Sequence, residues 1–445
     1  MYLIVRKIIK AYLYRFIKKN IWISTLIMKN KKDNLVLLSI VFLISITYSF
    51  SPFFSSYYSN QGLRTSSMPS NYQVNNFVKY QVEINLTLQQ TSSGSDNFHF
   101  KLSRLDNRSP NSTNWGDCPP FQESELLYSK ITNSNDAPFL QVDKFNNSYD
   151  LFNATLTNGE SVSLSQKYNI TLNDISFPNI NPTDIKPYDD SNKIFDLYCN
   201  NSEKYYNRTD PDLIYASNNL TGITPSDNPV EKAEKICNWV SQYLNYDGTL
   251  PSEEKGASWA YNNKKGDCSE FSSLMITLLR IQNIPARKIT GYVISNSGNF
   301  IPVPGQSWTF STSPGSGETE FLGHAWVEYY VEGIGWLACD PTWQQVYPEY
   351  FNRIDAQRFN LNAGAWFSIP NFLNDSSEFP NPCIVYSLSS SFDSDYDVKV
   401  TVLKTDITQP DFLPLIILGV ELLSIFALGA LLRRRELNKM RLDYY

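Results

Sequence analysis

The sequence predicts an α+β protein held between two membrane segments, and three features predict it. Residues 70–180 alternate apolar and polar in short runs broken by Asn, Ser, Gly and Pro, which is the period-two signature of strands. Residues 228–345 open with two helical stripes and then take on strand character. Two apolar runs, 35–54 and 412–432, lie near the ends with basic residues beside them.

The N-terminal 1–34 segment is rich in Lys and Arg and is expected on the cytoplasmic side. Residues 35–54 then read as a signal anchor or transmembrane helix. Met28-Lys29-Asn30-Lys31-Lys32 would itself make a signal start, which would leave 1–27 as an upstream extension or a membrane-surface arm. The second run, 412–432, is 21 residues long. That is enough to cross a hydrocarbon core of ~30 Å at ~1.5 Å per residue. Arg433, Arg434 and Arg435 behind it place the tail 433–445 in the cytoplasm by the positive-inside bias. Residues from about 55 to 410 are therefore expected outside a cell membrane. Ten Asn-X-Ser/Thr sequons all fall between the two runs, consistent with a glycosylated exterior. With 38 basic and 44 acidic residues the chain is mildly acidic and shows no nucleic-acid footprint.

Within the exterior part, 78–86 and 167–172 alternate strictly, while Asn146-Asn147-Ser148 and Asn158-Gly159 read as turns. Short strands with frequent turns predict a β-sandwich over 70–180. Residues 180–228 read as a polar connection. A helix follows, with Val230, Ala233, Ile236, Cys237, Val240 and Leu244 on one face and Asp227 or Asn228 before Pro229 as its start. A second helix carries Phe271, Leu274, Met275, Leu278 and Leu279, and stops near Asn283-Ile284-Pro285.

A strand is expected over 288–294. The Gly/Ser/Pro-rich stretch 295–317 is long for a loop and reads as a flap or an insertion near a site. Strands 324–331 and 335–340 form a hairpin through Glu332-Gly333-Ile334. Residues 344–380 read as irregular. Two more strands, 383–388 and 396–404, fall in a C-terminal β-containing extension, 346–410.

The chemistry lies in the second unit. Asp267, three residues before Glu270, is a capping box that puts Cys268 at the first helical position. Free amides and the helix dipole favour a thiolate there and offer donors to an oxyanion. Cys268 also shares a stripe with Phe271 and Met275, as a packing cysteine would. The chain has two histidines, His99 and His324, so the choice of a general base is nearly forced. A three-residue turn pairs Val331 with Gly335 and puts Asp340 opposite Trp326, and His324 opposite Thr342. His324 and Asp340 then share a face two rungs apart, roughly 7–8 Å between backbones. Asp340, ahead of Pro341, would equally suit a turn or cap. A cysteine, a histidine and an aspartate in that order are the parts of a thiol acyl-transfer site.

Six cysteines lie in the exterior part. Cys237 falls on a packing stripe, Cys118 and Cys199 could pair, and no CxxC spacing supports zinc. No acidic cluster resembles a calcium loop, so no metal or cofactor is expected. Trp308, Trp326, Trp336 and Trp343 surround the site in sequence, as core residues or as the lining of an acceptor channel.

Taken together, these residues resemble the transglutaminase-like superfamily. The matching pieces are Gly266-Asp267-Cys268, Asn283-Ile284-Pro285-Ala286-Arg287, Gly291-Tyr292, Gly323-His324-Ala325-Trp326-Val327-Glu328 and Asp340-Pro341-Thr342, within 228–345. The resemblance implies a papain-like/transglutaminase-like core, a cysteine-bearing helix on an antiparallel sheet, often preceded by an immunoglobulin-like sandwich. It implies Cys268 as nucleophile, His324 as base, Asp340 as the group orienting the imidazole, and a thioester on a protein or peptide substrate. Hydrolysis is favoured over crosslinking, because water competes unless the site excludes it. The stretch between Gly291 and His324 departs from the pattern as a long insertion. No separate oxyanion donor is fixed, with Tyr246 and Trp259 as upstream candidates. The competing reading is a non-catalytic, glycosylated adhesion or scaffold protein that uses the domain as a binding module.

Overall fold

The computed structural model describes residues 72–407, apart from 113, 133–136, 201–204, 251–253, 296–300, 312–321, 365–382 and 387–390. The basic N-terminal segment, both expected membrane segments and the expected cytoplasmic tail lie outside these residues. Among the described residues no helix is long and apolar enough to cross a membrane.

The architecture is mixed α/β with extensive strands. The alternation at 78–86 belongs to a longer strand, Gln73–Gln90, paired antiparallel with Ser161–Ser176. Val78, Tyr80, Val82, Ile84, Leu86 and Leu88 all point inward and are almost wholly buried. Each such burial stabilises by roughly 1.5–3 kcal/mol. The sheet runs Ser307–Ser311, Phe392–Thr405, Gln73–Gln90, Ser161–Ser176, Arg353–Ile354, with Gln122–Ile131 also on Ser161–Ser176. A second sheet runs Cys383–Tyr386, Ser95–Ser103, Ser148–Thr157, Phe139–Val142. The two share one apolar core, in which Phe98, Phe100 and Phe152 meet Leu86, Tyr168 and Val398.

Two expectations from sequence are corrected here. The stretch 295–317 is not simply a flap, because Ser307–Ser311 is an edge strand on Phe392–Thr405. Trp308 and Phe310 alternate with Ser307, Thr309 and Ser311, and the two aromatic rings pack against the sandwich core. Residues 344–380 are not irregular throughout either. Arg358–Ala363 is a fully buried strand of the third sheet, whose alternating Arg358, Asn360 and Asn362 give it a polar, loop-like appearance.

That third sheet is antiparallel, in the order Gly335–Cys339, Leu322–Val331, Ala286–Val293, Arg358–Ala363. Helix Cys268–Ile281 packs on it together with helix Pro229–Tyr243, and helix Ala257–Asn263 packs against the cysteine helix. The first of these starts as expected, with Asn228 as cap in a capping box with Glu231 and Pro229 behind it. Residues 270–280 of the cysteine helix are buried all the way round rather than on one stripe. Most of the polar side chains inside find partners, while the Ser272 hydroxyl has none among the described residues. Ser273 and Lys288 meet Glu254, Thr277 bonds the Ser273 carbonyl at 2.8 Å, and Arg280 bonds the Ala286 carbonyl.

Candidate active site

Cys268 sits where the spacing predicts, at the first position of its helix and only half buried. Asp267 caps it, accepting from Ser269 N at 2.7 Å, while Glu270 Oε2 accepts from Asp267 N at 3.1 Å. Glu270 Oε1 also accepts from Lys255 N at 2.8 Å, tying the preceding loop to the helix start. Gly266 is what lets this close up, since a Cβ there would lie 2.3 Å from the Glu270 Cβ.

His324 comes from the strand Leu322–Val331. The hairpin register is the expected one, with Val331 opposite Gly335 and Val327 opposite Cys339. The second strand, however, stops at Cys339, so Thr342 has no rung opposite His324. Asp340 instead caps the short helix Pro341–Gln344, with Oδ1 accepting from Thr342 N and Trp343 N, both at 3.0 Å. Its other oxygen, Oδ2, lies 2.7 Å from His324 Nε2. Asp340 is thus at once a cap and the histidine's partner. With Nε2 engaged, Nδ1 is the nitrogen left for the Cys268 thiol, which lies close enough to the imidazole to raise its pKa.

Burial alone would lower the imidazole's pKa. The Asp340 carboxylate, its hydrogen bond and the neighbouring Cys268 outweigh that and hold His324 up at about 9. Burial conversely pushes Asp340 up, yet His324 and Arg358 beside it hold its carboxyl below the ordinary range. His324 rests against Trp326, with centroids 6.0 Å apart, and against Trp343 at 6.2 Å. It lies opposite Gly291, where a Cβ would collide with the Phe359 carbonyl and press on Trp326.

Four other cysteines are of a different kind. Cys118, Cys199, Cys237 and Cys339 are free and buried, so the pairing of Cys118 with Cys199 does not occur. Cys118 packs in the core with Trp115, while Cys199 Sγ faces the Arg280 carbonyl at 3.8 Å. Burial pushes the Cys118 thiol up to about 12, and pushes Cys199 and Cys339 upward as well. His99 bonds Asn153 in the second sheet, far in the fold from Cys268. Trp308 and Trp336 are packing residues, the latter under Arg287 at 3.8 Å. Tyr246 is exposed on a short strand opposite Gly266 and close enough to Cys268 to feel its charge. Trp259 lies on the helix Ala257–Asn263.

Sequence reasoning missed Arg358. Its side chain is 1% exposed, and its Nη2 lies 3.0 Å from Asp340 Oδ2 and 3.7 Å from Asp355 Oδ2. A lone Arg in a polar stretch carries no signal of burial. The only available hint was the alternation of 358–363, with Phe359, Leu361 and Ala363 as the apolar members.

A thiol at a helix N-terminus, an imidazole against it and a carboxylate behind that define a thiol acyl-transfer arrangement. Residues 218–341 match the family model of the transglutaminase-like superfamily. Two curated relatives align with parts of the chain. A protein-glutamine gamma-glutamyltransferase of Pseudomonas aeruginosa is 34% identical over 92 residues, 20% of this chain and 11% of that protein. The uncharacterized protein YebA of Bacillus subtilis is 29% identical over 117 residues, 26% of this chain and 15% of that protein. The alignments thus span only a small part of either relative. Among solved structures, a candidate cysteine protease from Cytophaga hutchinsonii is 16% identical, covering 76% of this chain and 94% of that one, with a TM-score of 0.44. At that score the likeness adds nothing to the family match.

Proposed function

We propose that this chain is a cell-surface transglutaminase-like thiol enzyme that acts on peptide or glutamine-type amide bonds through a Cys268 thioester. The observation that carries the reading is the contact chain from the helix-capped thiol to His324 and on to Asp340 Oδ2 at 2.7 Å. Cys268 gives its proton to His324 Nδ1, and its sulfur attacks the carbonyl carbon. The cap occupies the Ser269 and Glu270 amides, which leaves the Cys268 N–H as a backbone donor to the oxyanion. The tetrahedral intermediate collapses as His324 returns the proton to the leaving nitrogen. Ammonia or an amine departs and a thioester remains. His324 then takes a proton from water, and the attack releases a carboxylate and restores the thiol. An amine in place of water would give a new amide. Hydrolysis is the preferred outcome, since Cys268 is only half buried and water can reach it.

The basic-flanked apolar runs at 35–54 and 412–432 support anchoring at both ends, with the catalytic unit outside the cell membrane. Extraction of membranes with alkaline carbonate tests the anchoring, and release of the chain into the supernatant would contradict it. The activity is tested by incubating glutamine-bearing peptides with the protein, with and without an added primary amine. Ammonia release or cleavage that disappears in Cys268→Ala supports the reading. Release at the same rate from that variant overturns it. Amine incorporation in place of hydrolysis would assign crosslinking.

A further inference from the structure

We propose that Arg358 is a positioning residue of this site: its guanidinium shares Asp340 Oδ2 with His324 and fixes the carboxylate that orients the imidazole. This rests on reading Cys268 and His324 as nucleophile and base. The side chain comes from the third sheet's edge strand, Arg358–Ala363, and is 1% exposed. Its Nη2 lies within ion-pair range of two carboxylates that are themselves held, without hydrogen-bond geometry to either. Asp340 accepts the two amides of its cap, and Asp355 accepts the Tyr350 hydroxyl at 2.7 Å and Gln357 N at 3.0 Å. The guanidinium is also roofed by Trp343 at 4.3 Å and Tyr350 at 4.8 Å. Trp343 in turn lies against His324. One indole therefore touches both cations that share the oxygen.

The groups facing Asp340 are His324 from its strand, Arg358 and Asp355 from the segment 355–358, and Cys339 beside it, with Cys268 beyond the imidazole. Asp340 and Asp355 bring two negative charges against the one positive charge of Arg358, which favours the imidazolium form of His324. A structural ion pair would need Asp355 alone, yet the guanidinium lies nearer to Asp340. Without Arg358 two buried carboxylates would face one imidazole, and one of them would take up a proton at higher pH. A protonated Asp340 no longer supports the imidazolium, and the thiolate loses its partner.

The test is the rate of Cys268 alkylation by iodoacetamide against pH, in the full-length chain and in folded variants. Arg358→Met is expected to slow it roughly ten- to a hundred-fold at neutral pH, the scale set by removing groups that orient metal-bound imidazoles. It is also expected to move the acid limb of the profile to higher pH. Arg358→Lys keeps the charge but not the fork, and is expected to restore the limb with part of the rate. Asp355→Asn removes a repelling carboxylate and is expected to shift the limb the opposite way, to lower pH. This variant decides the matter should the Met variant fail to fold. An unmoved limb in Asp355→Asn, or a folded Arg358→Met with the rate and profile of the unmodified chain, overturns the proposal. If the unmodified chain itself alkylates slowly and indifferently to His324→Ala, the acyl-transfer reading fails instead.

Discussion

The strand Leu322–Val331 carries two buried ionic arrangements, and they serve different ends. Near its start His324 meets Asp340 beside a half-open thiol. Four residues on, Glu328 Oε2 accepts from Arg287 Nη2 at 2.6 Å and Nε at 2.8 Å, with Trp336 stacked over the guanidinium. Both pairs come from motif residues, and both are nearly sealed from water. The first lies at a helix N-terminus with one imidazole nitrogen to spare, so it can pass a proton. The second has Tyr198 and Arg108 as neighbours rather than the Cys268 thiol, and it locks Ala286–Val293 to the histidine strand. Burial and charge alone do not make a site; an unspent donor or acceptor beside a nucleophile does.

Substitutions should separate the two ends. Cys268→Ala removes the nucleophile and should lower turnover by on the order of 10⁴–10⁶-fold, read by ammonia release. Asp340→Asn keeps an acceptor for the cap but removes the charge, and should cost roughly 10²–10⁴-fold in turnover. In that variant the His324 pKa should fall from about 9, which NMR titration of the imidazole would show. Glu328→Ala should act on stability instead, leaving Arg287 unpaired at a cost of about 3–5 kcal/mol in urea unfolding. Activity per folded molecule should hardly change. If Glu328→Ala abolished activity at full stability, the division between the two ends would be wrong. Asp267→Ala should have the smallest effect, about 1 kcal/mol for the lost cap and a few-fold slower alkylation of Cys268.

Stability against pH probes the first end alone. His324 is raised from its ordinary 6.5 to about 9, so its contribution is complete below 6.5 and fades as pH rises through 9. Asp340 is lowered from 3.8, so its contribution is complete above 3.8 and is lost as pH falls through the depressed value. The urea midpoint should therefore hold through mildly acid to neutral pH and decline toward pH 9. The alkaline decline should vanish in His324→Ala.

Much of this was legible in the residues. The capping box at Asp267 and Glu270 is local, and so is the odd-numbered turn that sets the hairpin register. What could not be read was long-range and polar. Arg358–Ala363 hides its strand character because its alternating Arg and Asn side chains are buried like the apolar residues between them. Ser307–Ser311 is concealed inside a Gly/Ser/Pro-rich stretch and is defined by pairing with residues some ninety positions later. The spacing makes Asp340 either a rung of the hairpin or a cap ahead of Pro341; Pro341 ends the strand, and Asp340 is the cap that still reaches His324.

The most direct measurement is the alkylation of Cys268 by iodoacetamide at neutral pH, located by peptide mapping. The account predicts rapid modification confined to Cys268, with Cys118, Cys199, Cys237 and Cys339 untouched, and its loss in His324→Ala. Slow labelling that His324→Ala leaves unchanged would contradict it, and would favour a domain that binds rather than reacts.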